Sequence, residues 1–318
     1  IRQLKWELGK NSVCVHLTYV PYLAAAGELK TKPTQHSVKE LQSLGIQPDI
    51  LVLRAEHDLP RTLLNKVASF CNVASDCVIQ SPDLPSIYEV PVNMLKQGLD
   101  TQVLKQFGIN PADTTADMEP WLNFLNRRKS ATRKVNIALV GKYDLQDAYK
   151  SITEAISHAG TYNDCKVVLT FENSEFITAD NVAETLSKYQ GEIICPGFGN
   201  RGIEGKIIAA QYCREHNVPT LGICLGMQIM AIEFARNVLG MTDANSTEMN
   251  PDTQHPVIDL MEEQKSITNL GGTMRLGGYE CSIVPGTHLH DAYQCDSIVE
   301  RHRHRYEFNN RYHEAFEA

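Results

Sequence analysis

A cysteine with a glycine on either side forms the centre of the most chemically informative stretch of the sequence. Cys224 follows Gly222 by two residues and precedes Gly226 by two residues. Small neighbours let the backbone turn sharply and expose the central side chain, as in the G-x-nucleophile-x-G pattern. The spacing therefore predicts a nucleophilic thiol, whereas a cysteine after an apolar strand without such glycines is more often buried and inert.

The apolar segments around Cys224 predict the elements that hold it. Residues 218–223 have the composition of a strand, and residues 225–239 carry apolar side chains at helical spacing. A strand, a turn and a helix place the thiol at a helix N-terminus. There, free N–H groups and the helix dipole favour a thiolate and can bind an oxyanion.

Five segments of the chain carry a resemblance to known families. Residues 222–228 resemble the nucleophile loop of the class I (triad-type) glutamine amidotransferases, and residues 27–41 resemble the pyrimidine-nucleotide loop of the CTP synthase family. Residues 245–248, 271–277 and 300–307 resemble the same family, in the same order. The resemblance implies a ligase that aminates UTP to CTP, with ATP and with ammonia released from glutamine.

The resemblance also implies roles for residues of the glutaminase half. Cys224 is the expected catalytic nucleophile, which forms a glutamyl thioester. Glu248 and Arg305 are the expected partners of the amino and carboxylate ends of glutamine. On composition alone, Arg305 could equally belong to a solvated basic strand, residues 301–305. The complete expected glutamine-binding set is Gly197, Leu225, Gly226, Met227, Gln228, Glu248 and Arg305.

Nucleotide-binding residues are expected in the first third of the chain. Lys30 and Lys32 alternate around a predicted turn near Pro33, so that two ammonium groups and loop N–H groups could converge on a triphosphate. Such a lysine pair is, by itself, more often a solvated basic loop. The resemblance assigns UTP or CTP binding to Lys30, Thr31, Lys32, Pro33, Thr34, Gln35 and Lys66. It assigns ATP binding to Arg54, Pro82, Asp83 and Leu84.

The order of predicted elements is that of an α/β protein with largely parallel sheets. We predict a partial P-loop-type amidoligase domain over residues 1–110, a linker over 111–134, and a doubly wound glutaminase domain over 135–318. Strands are predicted at 13–20, 50–54, 77–80, 135–142, 166–171, 192–195 and 218–223. Helices are predicted at 37–43, 147–158, 182–189, 204–216 and 225–239.

The glycine-rich segment at 197–202 satisfies G-x-G-x-x-G, but it does not fit a dinucleotide fingerprint. That fingerprint needs an acidic residue at the end of the next strand, where this chain has Cys224. In the resembled family the loop binds glutamine and helps to form the oxyanion hole. The family usually has two glycines after the proline, whereas here Gly197 stands alone between Pro196 and Phe198, and residues 142–145 are also one residue short.

Two motifs of the resembled family do not occur in the sequence. There is no His-Pro-Glu, which supplies the general base, and no G-x-x-x-x-G-K-[ST] phosphate loop. We expect the base beyond Ala318, and the phosphate loop and the Mg²⁺ ligands before Ile1. Two alternatives stay open: a catalytically incomplete nucleotide sensor or scaffold, and a different class I amidotransferase or stand-alone glutaminase.

Composition limits the remaining possibilities. A net charge of −8 argues against broad nucleic-acid binding, and nine cysteines without a C-x-x-C pair indicate reduced thiols. No apolar run approaches the roughly 20 residues of a membrane span, so we expect a cytoplasmic protein that does not enter membranes. The resemblance further implies a homotetramer able to form filaments, and GTP as an allosteric effector.

Overall fold

The computed structural model describes residues 1–114, 116–143, 147–261, 264–265 and 275–318. The chain divides into two compact units, Ile1–Lys129 and Ser130–Ala318. Each unit has its own apolar core around a parallel sheet. The predicted domain boundaries at 110 and 134 stay predictions.

The first unit is built on a three-stranded parallel sheet in the order β1-β4-β5. Val20, Ala55 and Pro82 are in register, so the carboxyl ends of the three strands meet at one edge. The elements are α1 (Arg2–Leu8), β1 (Val15–Val20), β2 (Tyr22–Leu23), β3 (Glu28–Leu29), α2 (Lys32–Ser43), β4 (Ile50–Ala55), α3 (Arg61–Cys71), β5 (Val78–Pro82), α4 (Val90–Gln97), α5 (Leu99–Gln106) and α6 (Glu119–Ser130).

The helix predicted at 37–43 starts earlier than expected, and the predicted turn near Pro33 is wrong. α2 begins at Lys32 and has Pro33 in its first turn. Proline is tolerated there because the first N–H groups of a helix have no partner within it, and its fixed φ suits a helix. Lys30 and Lys32 therefore flank a helix start rather than alternate along a loop.

The second unit is a doubly wound α/β structure, as predicted. Its main sheet has four parallel strands in the order β7-β6-β8-β9, and a smaller sheet has the order β10-β11-β14. The elements are β6 (Arg133–Gly141), α7 (Lys150–Tyr162), β7 (Cys165–Asn173), α8 (Val182–Leu186), β8 (Gly191–Ile194), α9 (Ile203–Glu215), β9 (Thr220–Gly222), α10 (Leu225–Asn237), β10 (Asn245–Ser246), β11 (Pro256–Leu260), β12 (Arg275–Ser282), α11 (His288–Tyr293), β13 (Ser297–His304), β14 (Tyr306–Phe308) and α12 (His313–Glu317).

The predicted strands and helices of this unit are confirmed, with shifted ends. The strand before the cysteine is shorter than the predicted 218–223, and α8 ends before the predicted 189. Most of the resembling segment 271–277 lies outside the described residues, as do residues 144 and 145 of the shortened stretch. Within the described ranges, no helix has the length and apolar character needed to cross a membrane.

Candidate active site

The backbone around Cys224 makes the sharp turn that the sequence predicts. Cys224 caps α10 and has φ 57° and ψ −108°, a conformation that non-glycine residues rarely adopt. A Cβ on Gly222 would lie 2.5 Å from the carbonyl carbon of Gly226, and one on Gly226 would lie 2.0 Å from the carbonyl oxygen of Ile194. Both glycines are therefore required by close backbone packing, and the strand–turn–helix prediction is confirmed.

The helix N-terminus favours a Cys224 thiolate, as expected, but burial has a larger effect in the opposite direction. Burial raises the pKa of the Cys224 thiol above its usual range. The N–H of Leu225 and the charge of Lys206 lower this pKa, whereas the carboxyl group of Glu248 raises it further. Because burial outweighs the favourable groups, the thiol is protonated at neutral pH and needs a base to become a nucleophile.

The cysteine opens into a cavity of about 200 Å³. Among the expected glutamine-binding residues, Gly197, Leu225, Gln228, Glu248 and Arg305 line this cavity with it. Phe198, Arg303, His304 and Tyr306 complete the lining. Gly226 and Met227 are not part of the lining: Gly226 is buried, and the side chain of Met227 is exposed.

Polar groups of opposite charge face the same cavity. Burial raises the pKa of the Glu248 carboxyl, and the charge of Lys142 partly offsets this effect. Arg305 donates a hydrogen bond from Nη1 to Oε1 of Gln264, at 2.8 Å. The buried Gln228 donates from Nε2 to the carbonyl oxygen of Tyr306, at 3.4 Å. A small zwitterion would find an acidic and a basic side chain at one pocket, the basic one already held by Gln264.

Sequence reasoning missed a lysine beneath the glycine loop. Lys142 is only 2% exposed and donates hydrogen bonds from Nζ to the carbonyl oxygens of Phe198 and Gly199, the latter at 2.8 Å. A Cβ on Gly197 would lie 2.7 Å from Cε of Lys142, so a larger residue there would have to displace the lysine side chain. The position of Lys142 could have identified it, because it directly follows the carboxyl end of β6, where ligand sites of such sheets lie.

A histidine of the pocket was also missed as a lining residue. His304 ends β13 and is partly buried. Burial and the neighbouring His302 lower the pKa of its imidazole, while Glu307 raises it. His304 is therefore neutral at physiological pH. Sequence reasoning had placed it only in the substrate-binding segment.

In the first unit, the expected UTP/CTP residues surround the start of α2. Thr31 caps the helix and accepts a hydrogen bond from Nε2 of Gln35 at 3.0 Å. Thr34 is fully buried and donates from Oγ1 to the carbonyl oxygen of Tyr19 at 3.0 Å. The hydrogen bonds of these three side chains thus stabilise the start of α2, while Lys32 and Pro33 are exposed.

The lysines of this set are less closely gathered than the sequence suggested. Lys30 forms an ion pair with Glu28. Lys66 is exposed on α3, which packs against α2. The structure brings Lys30 and Lys32 to the same sheet edge and leaves Lys66 on the neighbouring helix.

The expected ATP residues lie at the carboxyl edge of the same sheet. Nε of Arg54 is 3.5 Å from Oδ1 of Asp83, and the N–H of Asp83 donates to the carbonyl oxygen of Ala55 at 2.9 Å. Pro82 and Leu84 line a cavity of about 400 Å³ together with side chains of α4 and α6. The four residues are therefore neighbours, although Arg54 and Asp83 do not line the cavity.

The described residues do not fit a magnesium site. Across the ranges that the structure describes, no three histidine, cysteine, aspartate or glutamate side chains are grouped so that they could hold a metal ion.

Two family models match the chain in the order of its units. Residues 1–109 match the model described as CTP synthase N-terminus, and residues 144–318 match glutamine amidotransferase class-I. The second match covers more than half of the chain, so the chain belongs to the class I glutamine amidotransferase family. Its whole length also aligns with CTP synthases.

Similar proteins include two bacterial CTP synthases and a solved glutaminase domain. A CTP synthase of Bacteroides fragilis is 64% identical over 318 residues, which are 100% of this chain and 60% of the relative. A CTP synthase of Porphyromonas gingivalis is 58% identical over 318 residues, 100% of this chain and 59% of the relative. The structure titled as the Trypanosoma brucei CTPS glutaminase domain with bound acivicin has a TM-score of 0.54 and 37% identity, over 57% of this chain and 71% of that chain. The chain thus spans about three fifths of the curated relatives that it matches.

Proposed function

We propose that the full-length protein is a glutamine-hydrolysing CTP synthase. The observation that carries the proposal is the cavity around Cys224. The sharp turn that holds the cysteine, the acidic Glu248 and the basic Arg305 meet there. A cavity of 200 Å³ is smaller than the roughly 300–1,000 Å³ of sites for drug-sized ligands. This size suits an amino acid.

In the proposed glutaminase reaction, Glu248 receives the α-ammonium group of glutamine and Arg305 receives its α-carboxylate. Without a bound cation, the Glu248 carboxyl group has a raised pKa. The ammonium group of a ligand would favour its charged form. The thiol of Cys224 loses its proton to a base, and Sγ then attacks the amide carbonyl carbon. The C–N bond breaks, the nitrogen leaves as ammonia, and water hydrolyses the thioester to glutamate.

The N–H groups near Gly197 and Leu225 are the proposed oxyanion donors. The N–H of Leu225 points to the sulfur, because its hydrogen bond lowers the pKa of the Cys224 thiol. Glycine at position 197 allows close approach of the loop, since Lys142 fills the space behind it. The role of the glycine loop follows from the family resemblance and from its place in the cavity lining.

In the proposed synthetase reaction, ammonia replaces phosphate at the 4-position of ATP-activated UTP. The residues proposed for UTP or CTP are those around Lys30, Lys32 and Lys66, and those proposed for ATP lie around Arg54 and Pro82. Because all of these groups except Lys66 lie near the carboxyl ends of parallel strands, they occupy the usual ligand edge of such a sheet. Mg²⁺, GTP as effector, a homotetramer able to form filaments and a cytoplasmic location complete the proposal by resemblance.

The test compares two nitrogen sources in the full-length protein. CTP formation from UTP and ATP is measured with glutamine and, separately, with ammonium, for the wild type and for Cys224→Ala. We expect the variant to lose glutamine-dependent synthesis and to retain ammonium-dependent synthesis. Cys281→Ala is the matched control, because Cys281 is a free cysteine that does not line the cavity.

Two results would distinguish the alternatives. Glutamine hydrolysis without UTP-dependent CTP formation would indicate a stand-alone glutaminase or another amidotransferase. Nucleotide binding without either reaction, and without an adduct on Cys224 from a glutamine-analogue electrophile, would indicate a nucleotide sensor or scaffold.

A further inference from the structure

Lys206 in α9 is a charged residue in an unusual place. It has 0% exposure and is the largest of the fully buried side chains among the described residues. Its Nζ donates a hydrogen bond to the carbonyl oxygen of Cys195, at 2.5 Å. Lysine is almost never fully buried, because removing an ammonium group from water is costly unless it is well paired. Buried charges of this kind are concentrated at functional sites.

The carbonyl group that Lys206 holds lies where three parts of the candidate active site join. Cys195 follows β8 directly and leads through Pro196 into the Gly197 loop. One residue earlier, the carbonyl oxygen of Ile194 accepts a hydrogen bond from the N–H of Ile223, at 3.1 Å. The carbonyl oxygen of Ile194 thus binds Ile223, the residue before Cys224. The next carbonyl oxygen, that of Cys195, binds Lys206.

The charge of Lys206 also reaches the thiol. It lowers the pKa of Cys224, against burial and the carboxyl group of Glu248, which raise it. In return, Cys224 favours the charged form of Lys206, while burial and Lys142 lower the pKa of Lys206 to about 8. Among the described residues, the other titratable or charged groups that face this pair are Cys195, Arg303, His304, Arg305 and Tyr306.

We infer that Lys206 is a positioning residue for the chemistry of Cys224: it fixes the Cys195 carbonyl at the start of the Gly197 loop and supplies a positive charge to the developing thiolate. The inference rests on the proposed glutaminase function. It predicts that a neutral side chain of similar length can fill the site without loss of stability, but with a thiol that ionises at higher pH.

The experiment measures alkylation of Cys224 by a chloroketone analogue of glutamine in the full-length protein. The rate is followed from about pH 6 to about pH 10, and the adduct is mapped by mass spectrometry. For Lys206→Met we expect the profile to move up by about one pH unit, with a rate about tenfold lower at neutral pH that recovers in alkali. The melting temperature should be unchanged or higher, because the buried charge has been removed.

Two further variants keep the result interpretable. Lys206→Arg retains the charge and should keep the wild-type pH profile, even if its longer side chain lowers the rate. Lys166→Met removes an exposed lysine of β7 and should behave as the wild type.

The possible failures are separate. A Lys206→Met profile with the wild-type midpoint, or a rate lowered equally at every pH together with a lower melting temperature, would overturn the inference alone. Absence of any Cys224 adduct in the wild type would overturn the proposed glutaminase function and, with it, the inference.

Discussion

In the candidate glutamine pocket, the thiol and two charged groups line one small cavity, whereas the lysines of the candidate nucleotide site are spread over a sheet edge and a neighbouring helix. Cys224, Glu248 and Arg305 share the 200 Å³ cavity. Lys32 and Lys66, by contrast, are exposed on separate helices. The first site holds its groups by backbone packing and burial, and the second presents exposed ammonium groups that a phosphate could gather. Changes in the first site should therefore have larger effects.

The largest effect is expected from the backbone of the nucleophile turn. In Gly222→Ala the new Cβ would lie 2.5 Å from the backbone of Gly226, so the N-terminus of α10 must move. Since a displacement of about 1 Å can cost about 100-fold, and the turn itself is disrupted, we expect a loss of about 10³-fold or more. Glutamine-dependent CTP formation measures it.

Gly191→Ala is the matched control for this substitution. A Cβ at Gly191 would lie 3.5 Å from its nearest neighbour, which is ordinary contact. It should retain most of the activity. If Gly222→Ala also retained most of the activity, the claim that backbone packing fixes the turn at Cys224 would be wrong.

The next effect concerns the fixed charges of the pocket. Arg305→Met leaves the carboxylate of the substrate without its partner, and losing one member of a desolvated charge pair costs roughly 3–4 kcal/mol. We expect KM for glutamine to rise by about 10²–10³-fold, while ammonium-dependent synthesis stays unchanged. Arg301→Met alters an exposed arginine of β13 outside the pocket lining and should leave KM unchanged. Equal effects of the two variants would support a merely basic strand.

A buried carboxyl group of the second unit tests whether burial, rather than an ion pair, determines the pKa of acidic side chains in its core. Glu192 in β8 is 2% exposed, and its carboxylate oxygens have no hydrogen-bond partner other than the weakly donating thiol of Cys213. Burial raises its pKa to about 7, with only a partial offset from the thiol of Cys213. The folded state therefore holds a proton that the unfolded state has lost between about pH 4.5 and pH 7, and stability falls as pH rises through that range.

Glu192→Gln removes this ionisation. It should raise the free energy of unfolding by up to about 3 kcal/mol at about pH 8 and change it little at about pH 5. Denaturant unfolding at both pH values measures the difference. Glu184→Gln, at an exposed position of α8, should show no such pH dependence. A stabilisation that is the same at both pH values would contradict the role of burial.

The sequence predicted this pocket better than the nucleotide edge, for physical reasons. The nucleophile turn depends on Gly222 and Gly226, whose lack of a side chain is visible in the sequence and strictly required by the backbone. The start of α2 was misplaced because Pro33 reads as a turn residue, although proline also suits a first helical turn. Lys142 and Lys206 were overlooked because lysine is normally exposed, and only packing reveals that both are buried.

The same limit explains why the effect of burial on the ionisation of Cys224 was not predicted, although the effect of the helix N-terminus was. A helix N-terminus can be recognised from spacing, but the extent to which neighbours exclude water from a thiol cannot. Burial is the largest contribution to its raised pKa. The local motif therefore gave the position of the nucleophile, and the tertiary structure determined its protonation state.

The smallest effect is expected at the exposed sheet edge. Lys32→Ala removes one exposed ammonium group at the start of α2, where solvent and salt weaken its attraction for phosphate. We expect KM for UTP to rise by about tenfold, and less at high salt, with glutaminase labelling of Cys224 unchanged. Lys39→Ala, an exposed lysine farther along α2, should leave KM unchanged. A rise in KM of about 10³-fold for Lys32→Ala would mean that this lysine is desolvated in the nucleotide complex. The difference between the glutamine pocket and the exposed sheet edge would then exist only in the absence of substrate.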